Sequence, residues 1–311
     1  MATRIRFGLT LIVVLVLGLA ACGDDDDKAE PTPAPSEAPQ IVLGLSLSTL
    51  SNPFFVSVKD GAETAAQSLN AQVVVEDAQD DAEQQNTQIQ ALIDQGVSAI
   101  LINPVDGDAV VTAVEAANAA NIPVFTIDRS AAGGVVVSHI ASDNLAGGRL
   151  AGEYLAETLN SEGKVVELVG IPGTSAAEAR GAGFHEAMAG YDTIEIVASE
   201  VANFNRDEGK TVFAEILAAQ PEIDGVFAHN DEMILGAIEA AKEAGRAADI
   251  QFVGFDAVDD AIAALEAGDL TATVAQQPEE MGRLGVETAV KFLNGEDVPD
   301  SIPVDLALIT K

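Results

Sequence analysis

Four apolar runs in this sequence end on polar side chains able to hold a ligand. Asp128-Arg129 follow Val124-Phe125-Thr126-Ile127, Asn230-Asp231 follow Val226-Phe227-Ala228-His229, Asp256 follows Phe252-Val253-Gly254-Phe255, and Gln276 follows Ala272-Thr273-Val274-Ala275. Carboxylates and amides accept or bridge hydroxyl protons, while Arg129 donates in a fixed fork geometry. A fifth junction differs in kind. Ile41–Leu45 has the composition of a buried strand, and beyond it Asn52-Pro53-Phe54-Phe55 sets two rings beside an amide, with Pro53 suited to a first helical position. Strand ends are where open α/β sheets bind ligands. Each junction also has a purely structural reading: Asp231 and Asp256 as helix N-caps, Asp128 with Arg129 as a surface ion pair, Phe54 and Phe55 as core plugs.

Little in the inventory points to catalysis. Cys22 is the only cysteine, and His139, His185 and His229 lie far apart without H-x-x-x-H or H-E-x-x-H spacing. No G-x-S-x-G elbow occurs, and Gly170-Ile171-Pro172-Gly173-Thr174-Ser175 lacks the lysine of a phosphate-binding loop, which leaves a tight strand-to-helix turn. Acidic residues are too numerous for any pair to be diagnostic of acid–base work. The expectation is a binding protein, not an enzyme, with no cofactor and no metal; an extracytoplasmic hydrolase of doubly wound fold is the remote alternative.

Charge narrows the partners. The 311 residues carry 15 Lys plus Arg against 50 Asp plus Glu, a formal charge of −35, so nucleic acid and anionic lipid surfaces are repelled and a neutral or cationic ligand is easier to accept. At the start, Arg4 and Arg6 precede an apolar run from Leu9 to Leu19 and the small-residue stretch Leu19-Ala20-Ala21-Cys22. This resembles a bacterial lipoprotein signal: residues 1–21 would be removed, and Cys22 would receive lipid and tether the protein outside the cytoplasm. Residues 22–39, rich in Asp, Pro, Ala, Glu and Ser, read as a flexible linker, with Asp24 to Asp27 a solvated charge run.

From residue 41 onward, strand-like runs alternate with amphipathic helical stretches. Strands read at 41–47, 71–76, 98–103, 123–127 and 136–140, then at 164–170, 193–199, 225–228, 251–255 and 271–275. Helices read between them, with a last one at 279–294. Such alternation predicts an α/β protein with two doubly wound parallel sheets, hence two lobes around a cleft.

The junction motifs run in a fixed order: Ser48-Thr49-Leu50-Ser51-Asn52-Pro53-Phe54-Phe55, Leu101-Ile102-Asn103-Pro104, Asp128-Arg129, Ser138-His139-Ile140-Ala141-Ser142-Asp143-Asn144, Gly173-Thr174-Ser175-Ala176-Ala177, Asn230-Asp231-Glu232-Met233 and Gly254-Phe255-Asp256. As a set they resemble the periplasmic sugar-binding proteins of ABC transporters, most closely the ribose-binding members, over about 41–310. The resemblance implies sugar contacts at Asn52, Phe54, Phe55, Asp128 and Arg129 from one lobe. Arg180, Phe204, Asn230, Asp256 and Gln276 complete the implied set. The rings would cover the sugar's apolar faces and the polar groups its belt of hydroxyls. Beside these contacts the chain departs from the family pattern, with Ser51 in place of Asn, Glu178 in place of Arg and His229 in place of Gln.

The resemblance further implies a periplasmic-binding-protein-like fold of type 1 with a three-segment hinge. One lobe would combine 40–142 with 277–304, the other 143–276 with 305–311. A monomer closing on a monosaccharide, with ribose favoured, would present a shape recognised by an ABC permease; a chemoreceptor is a further candidate listener. Another sugar, a polyol or a furanosyl signal on the same scaffold is the alternative.

Overall fold

A computed structural model describes residues 40–311; the expected export signal, Cys22 and the linker lie outside the described residues. The first sheet is built from β1 (Val42–Leu47), β2 (Gln72–Asp77), β3 (Ala99–Ile102), β4 (Val124–Ile127) and β5 (Ser138–Ser142), interleaved with α1 (Pro53–Ser68), α2 (Ala82–Gln95) and α3 (Val111–Ala119). Next come α4 (Asn144–Thr158), β6 (Gly163–Val169), α5 (Ser175–Met188), β7 (Ile194–Val201), α6 (Arg206–Ala219), β8 (Gly225–Ala228) and α7 (Asp231–Glu243). The chain closes with β9 (Gln251–Asp256), α8 (Asp259–Ala267), β10 (Ala272–Ala275), α9 (Pro278–Leu293), β11 (Ser301–Val304) and β12 (Ala307–Thr310).

The strands run through cores covered on both faces, which is why β3, β4 and β8 are buried at every position. Local signals place the helix starts. Asn52 caps α1 by accepting from the Phe54 N–H, with Pro53 at the first turn, and Asp81 caps α2 by accepting from the Glu83 and Gln84 N–H groups. The structural alternative of N-caps at Asp231 and Asp256 does not hold: Asn230 caps α7, putting Asp231 one residue inside the helix, and Val258 precedes α8, so Asp256 caps nothing.

Strand order is β11-β5-β4-β3-β1-β2 in one sheet and β12-β10-β9-β8-β6-β7 in the other. Both are parallel α/β sheets as expected, except that β12 runs antiparallel to β10. The order reverses between β1 and β3 and again between β6 and β8, the switch points where crevices open at strand carboxyl ends. The chain passes between sheets after β5, again after β10 and finally through Asp305-Leu306, two residues that send the apolar tail into both sheets. Helix α9 lies against α1, at a distance that only glycine permits: a Cβ at Gly61 would stand 2.1 Å from the Glu279 carbonyl oxygen, and one at Gly282 2.0 Å from that of Val58.

Candidate functional site

Asn52, Phe54, Phe55, Asp128, Arg129, Arg180, Phe204, Asn230, Asp256 and Gln276 line one pocket with ≈ 240 Å³ of empty space, part of it open to solvent. Ala176, in the first turn of α5, lines it too; a methyl group carries no chemical signal in the sequence that would single it out. The ten side chains are all more than nine-tenths buried. A larger surface groove of ≈ 1270 Å³ lies between α1 and α9, but its lining includes none of the buried polar atoms that lack partners among the described residues.

On the first sheet's side, the two phenylalanines serve both core and cavity. Their rings meet edge to face at 5.2 Å, and both belong to the core beneath β1. The Asp128-Arg129 pair is buried rather than at the surface. Asn103 holds Asp128 by donating Nδ2–H to its Oδ2 (3.2 Å), while Arg129 donates to the Pro104 carbonyl (3.2 Å). The Arg129 guanidinium is sandwiched between Phe55 (5.3 Å) and Phe204 (5.2 Å).

On the second sheet's side the network is denser. Arg180 donates to Asn144 Oδ1 (2.8 Å) and to the His229 carbonyl (2.6 Å), and stacks 3.8 Å from the Phe255 ring. Asp256 lies 3.6 Å from Arg180 and accepts from Gln276 Nε2–H (2.8 Å). Asn230 is doubly committed, accepting from the Met233 N–H and donating to the Phe204 carbonyl (3.3 Å). Phe204 covers Gly170, where a Cβ would stand 2.1 Å from the ring, so only glycine allows that face.

Backbone strain gathers at the same place. Asp128, Phe204 and Asp256 all have positive φ (62°, 57° and 119°), a conformation costly for residues with side chains and characteristic of ligand clamps. Burial also distorts the charges. It pushes the Asp256 carboxyl up to about 7 against the pull of Arg180, and raises Asp231 well above its ordinary range, with the Asp256 charge adding to the effect. Burial lowers both arginines from their usual values, opposed by Asp128 at Arg129 and by Asp256 at Arg180.

Three polar atoms of this cavity are left over. Asp128 Oδ1, Arg129 Nε and Gln276 Oε1 are buried and have no hydrogen-bond partner among the described residues. The Asp128–Arg129 approach of 3.8 Å is too long for a hydrogen bond. Two acceptors and one donor, each costly to leave unmatched, face a space walled by rings; hydroxyl groups both give and take hydrogen bonds and match all three. Among the described residues no group of three or more His, Cys, Asp or Glu is arranged to hold a metal ion.

The comparisons agree with this geometry. A family model described as a periplasmic binding protein domain matches residues 43–297. The ribose import binding protein RbsB of Escherichia coli (strain K12) is 49% identical over 269 residues, spanning 86% of this chain and 90% of that protein. That of Bacillus subtilis (strain 168) is 46% identical over 272 residues, spanning 88% of each. A crystal structure of an ABC transporter periplasmic solute binding protein from Actinobacillus succinogenes with bound D-allose superposes with a TM-score of 0.82 at 32% identity, covering 87% of this chain and 98% of the other. With the match running through both sheets, this chain belongs to the periplasmic binding protein family.

Proposed function

We propose that this protein is the solute-binding subunit of an ABC importer and that its ligand is a monosaccharide, D-ribose. The observation that carries the reading is the set of three buried polar atoms without partners among the described residues, gathered in a small phenylalanine-walled pocket. The two ribose import proteins, similar over most of their length, support ribose in particular. The D-allose complex of a more distant relative supports a second reading, another sugar on the same scaffold. Binding is the whole of its chemistry; it is not an enzyme. Phe54, Phe55 and Phe204 would cover the sugar's faces, and Asn52, Asp128, Arg129, Arg180, Asn230, Asp256 and Gln276 its hydroxyls.

Residues 40–142 with 277–304 form one lobe in this reading, and 143–276 with 305–311 the other. The sheet membership of β11 and β12 and the packing of α9 on α1 support it. Ligand touching both lobes favours the closed shape by its differential affinity, and an ABC permease, or a chemoreceptor, would read that shape. The protein works outside the cytoplasm, as the family's periplasmic description implies. No described helix is long and apolar enough to cross a membrane; the tether in this reading is lipid on Cys22, supported by the charged, apolar and small-residue segments before it.

Calorimetric titration of ligand-stripped protein with ribose, allose, xylose, galactose and glucose tests the reading. Ribose is expected to bind tightest, and an analogue lacking one hydroxyl to bind at least about tenfold more weakly, because a buried partner is then left unmatched. No heat with any of the sugars refutes the sugar assignment, and stronger binding of a hexose selects the second reading.

A further inference from the structure

Beneath the second sheet's side of the cavity lies a buried acid–histidine cluster that touches no ligand space. Glu167 on β6 is fully buried; its Oε1 faces His229 Nε2 at 2.9 Å, and its Oε2 faces His185 Nε2 at 2.9 Å and the Ser199 hydroxyl at 2.6 Å. His229 is buried, whereas the His185 side chain is half exposed and gives the cluster access to solvent protons.

What lies on the other side of His229 ties the cluster to the site. The Gly170 amide donates to His229 Nδ1 (3.3 Å), so the ring is neutral with its proton on Nε2, pointing at Glu167. Gly170 is the residue on which the Phe204 ring lies. The His229 carbonyl takes the 2.6 Å hydrogen bond from Arg180, and the next residue, Asn230, donates to the Phe204 carbonyl. Supports for Arg180, Phe204 and Asn230 thus meet in one residue.

We propose that His229, pinned between Glu167 and the Gly170 amide, is a positioning residue for the second lobe's half of the sugar site, and that proton uptake on its ring loosens the bound sugar. The inference rests on the sugar-binding reading for its affinity readout. A proton on Nδ1 would set two N–H groups against each other at Gly170 and place a cation near Arg180. The groups bearing on His229 are Glu167 on β6, Arg180 and His185 on α5, and, through Arg180, Asp256 on β9, Asp128 after β4 and Asp231 on α7. Burial lowers the His229 value from its ordinary level against the pull of Glu167, with Arg180 and His185 adding to the lowering. Burial would raise Glu167, but the bonds from His229 and Ser199 outweigh it and leave Glu167 below its ordinary value. The neutral ring is therefore the state at neutral pH, and acid disturbs it.

Sugar titrations from about pH 7.5 to about pH 5 on four proteins test this. Wild type is expected to hold its affinity near neutrality and lose about tenfold in acid. His229→Gln, whose amide can both accept and donate, should bind within about threefold of wild type at neutral pH with a flatter profile, and His229→Ala should bind about tenfold or more weakly at every pH. His185→Ala changes a half-exposed side chain; leaving Glu167 to His229 and Ser199, and removing a group that lowers the His229 value, it should move the acid loss to higher pH. A His229→Gln profile superimposing on wild type, or an unmoved midpoint in His185→Ala, overturns the proposal, and the second result stands even where a residue-229 variant fails to fold. The chain has three histidines, so nitrogen NMR of ligand-free, histidine-labelled protein gives a readout independent of any sugar. A His229 ring protonated on Nδ1 at neutral pH refutes the inference, whereas a protein that shows the expected tautomer and binds no sugar refutes only the functional reading.

Discussion

The two halves of the cavity use the same residue types and finish them differently. On the first sheet's side, Asp128 keeps one oxygen and Arg129 its Nε without partners, and the two charges stand 3.8 Å apart. On the second, Arg180 is held by Asn144, the His229 carbonyl and the Phe255 face, and Asp256 by Gln276. The protein completes the second half except for Gln276 Oε1, whereas the first leaves both a carboxylate oxygen and a guanidinium nitrogen for a ligand. The difference suits a closing site, because groups already bonded stay rigid through opening, while unmatched groups make closure depend on what arrives.

Removing the two arginines should separate the halves most sharply. Arg180→Ala takes the neighbouring cation from buried Asp256 and leaves Asn144 Oδ1 and the His229 carbonyl without their donor, so it is expected to abolish sugar binding and cost the ligand-free protein about 3–5 kcal/mol. Arg129→Ala should also abolish binding, at a clearly smaller stability cost. Denaturant unfolding alongside titration checks both, and equal losses of stability would erase the contrast.

A smaller effect is expected from the carboxyl built into the completed half. The folded Asp256 value of about 7 lies above its ordinary 3.8, so folding takes up a proton between those limits. Its contribution is present below about pH 4 and is lost as pH rises through about 7, at no more than about 1.4 kcal/mol per pH unit. Comparing the stability of ligand-free wild type and Asp256→Asn at about pH 5 and about pH 8 should show a smaller difference in the variant. Parallel pH dependences would assign the titration elsewhere.

The smallest effect should come from the seam between the halves. There the Ser130 N–H, next to Arg129, donates to the Ser175 hydroxyl (2.9 Å), and the Gly107 N–H to the Gly173 carbonyl (3.4 Å). Ser175→Ala removes one neutral bond of the closed form, worth about 1 kcal/mol, and should weaken binding about fivefold. The loss should appear in the dissociation rate, since no ligand contact changes. Unchanged dissociation would show that the seam carries no part of closure.

Much of this was legible in the linear chain because it is local. Alternating buried runs and amphipathic stretches set the two parallel sheets, and strand ends marked Asn52, Asp128, Arg129, Asn230, Asp256 and Gln276 as residues to watch. Helix entry at Asn52-Pro53 follows from side-chain capping and a fixed proline φ, and both act within a few residues. Arg180 and Phe204 stand out only through the family resemblance, because one lies within a helix and the other in a short turn, and neither spacing is diagnostic.

Tertiary structure decided what those residues do to one another. Asn144, 36 residues from Arg180, and Asn103, 25 from Asp128, become supports only once sheets and helices pack. His185, far from His229 in the sequence, turns out to share Glu167 with it. The division of the last strand pair between two sheets depends on open edges at β5 and β10 that exist only in the assembled fold. Periodicity and capping are written into neighbouring residues, so the sequence alone determined the elements and the strand-end positions of the polar groups. Which atoms are satisfied, which are left for a ligand and which histidine supports an arginine depend on distances between segments far apart in the chain, and only packing sets those.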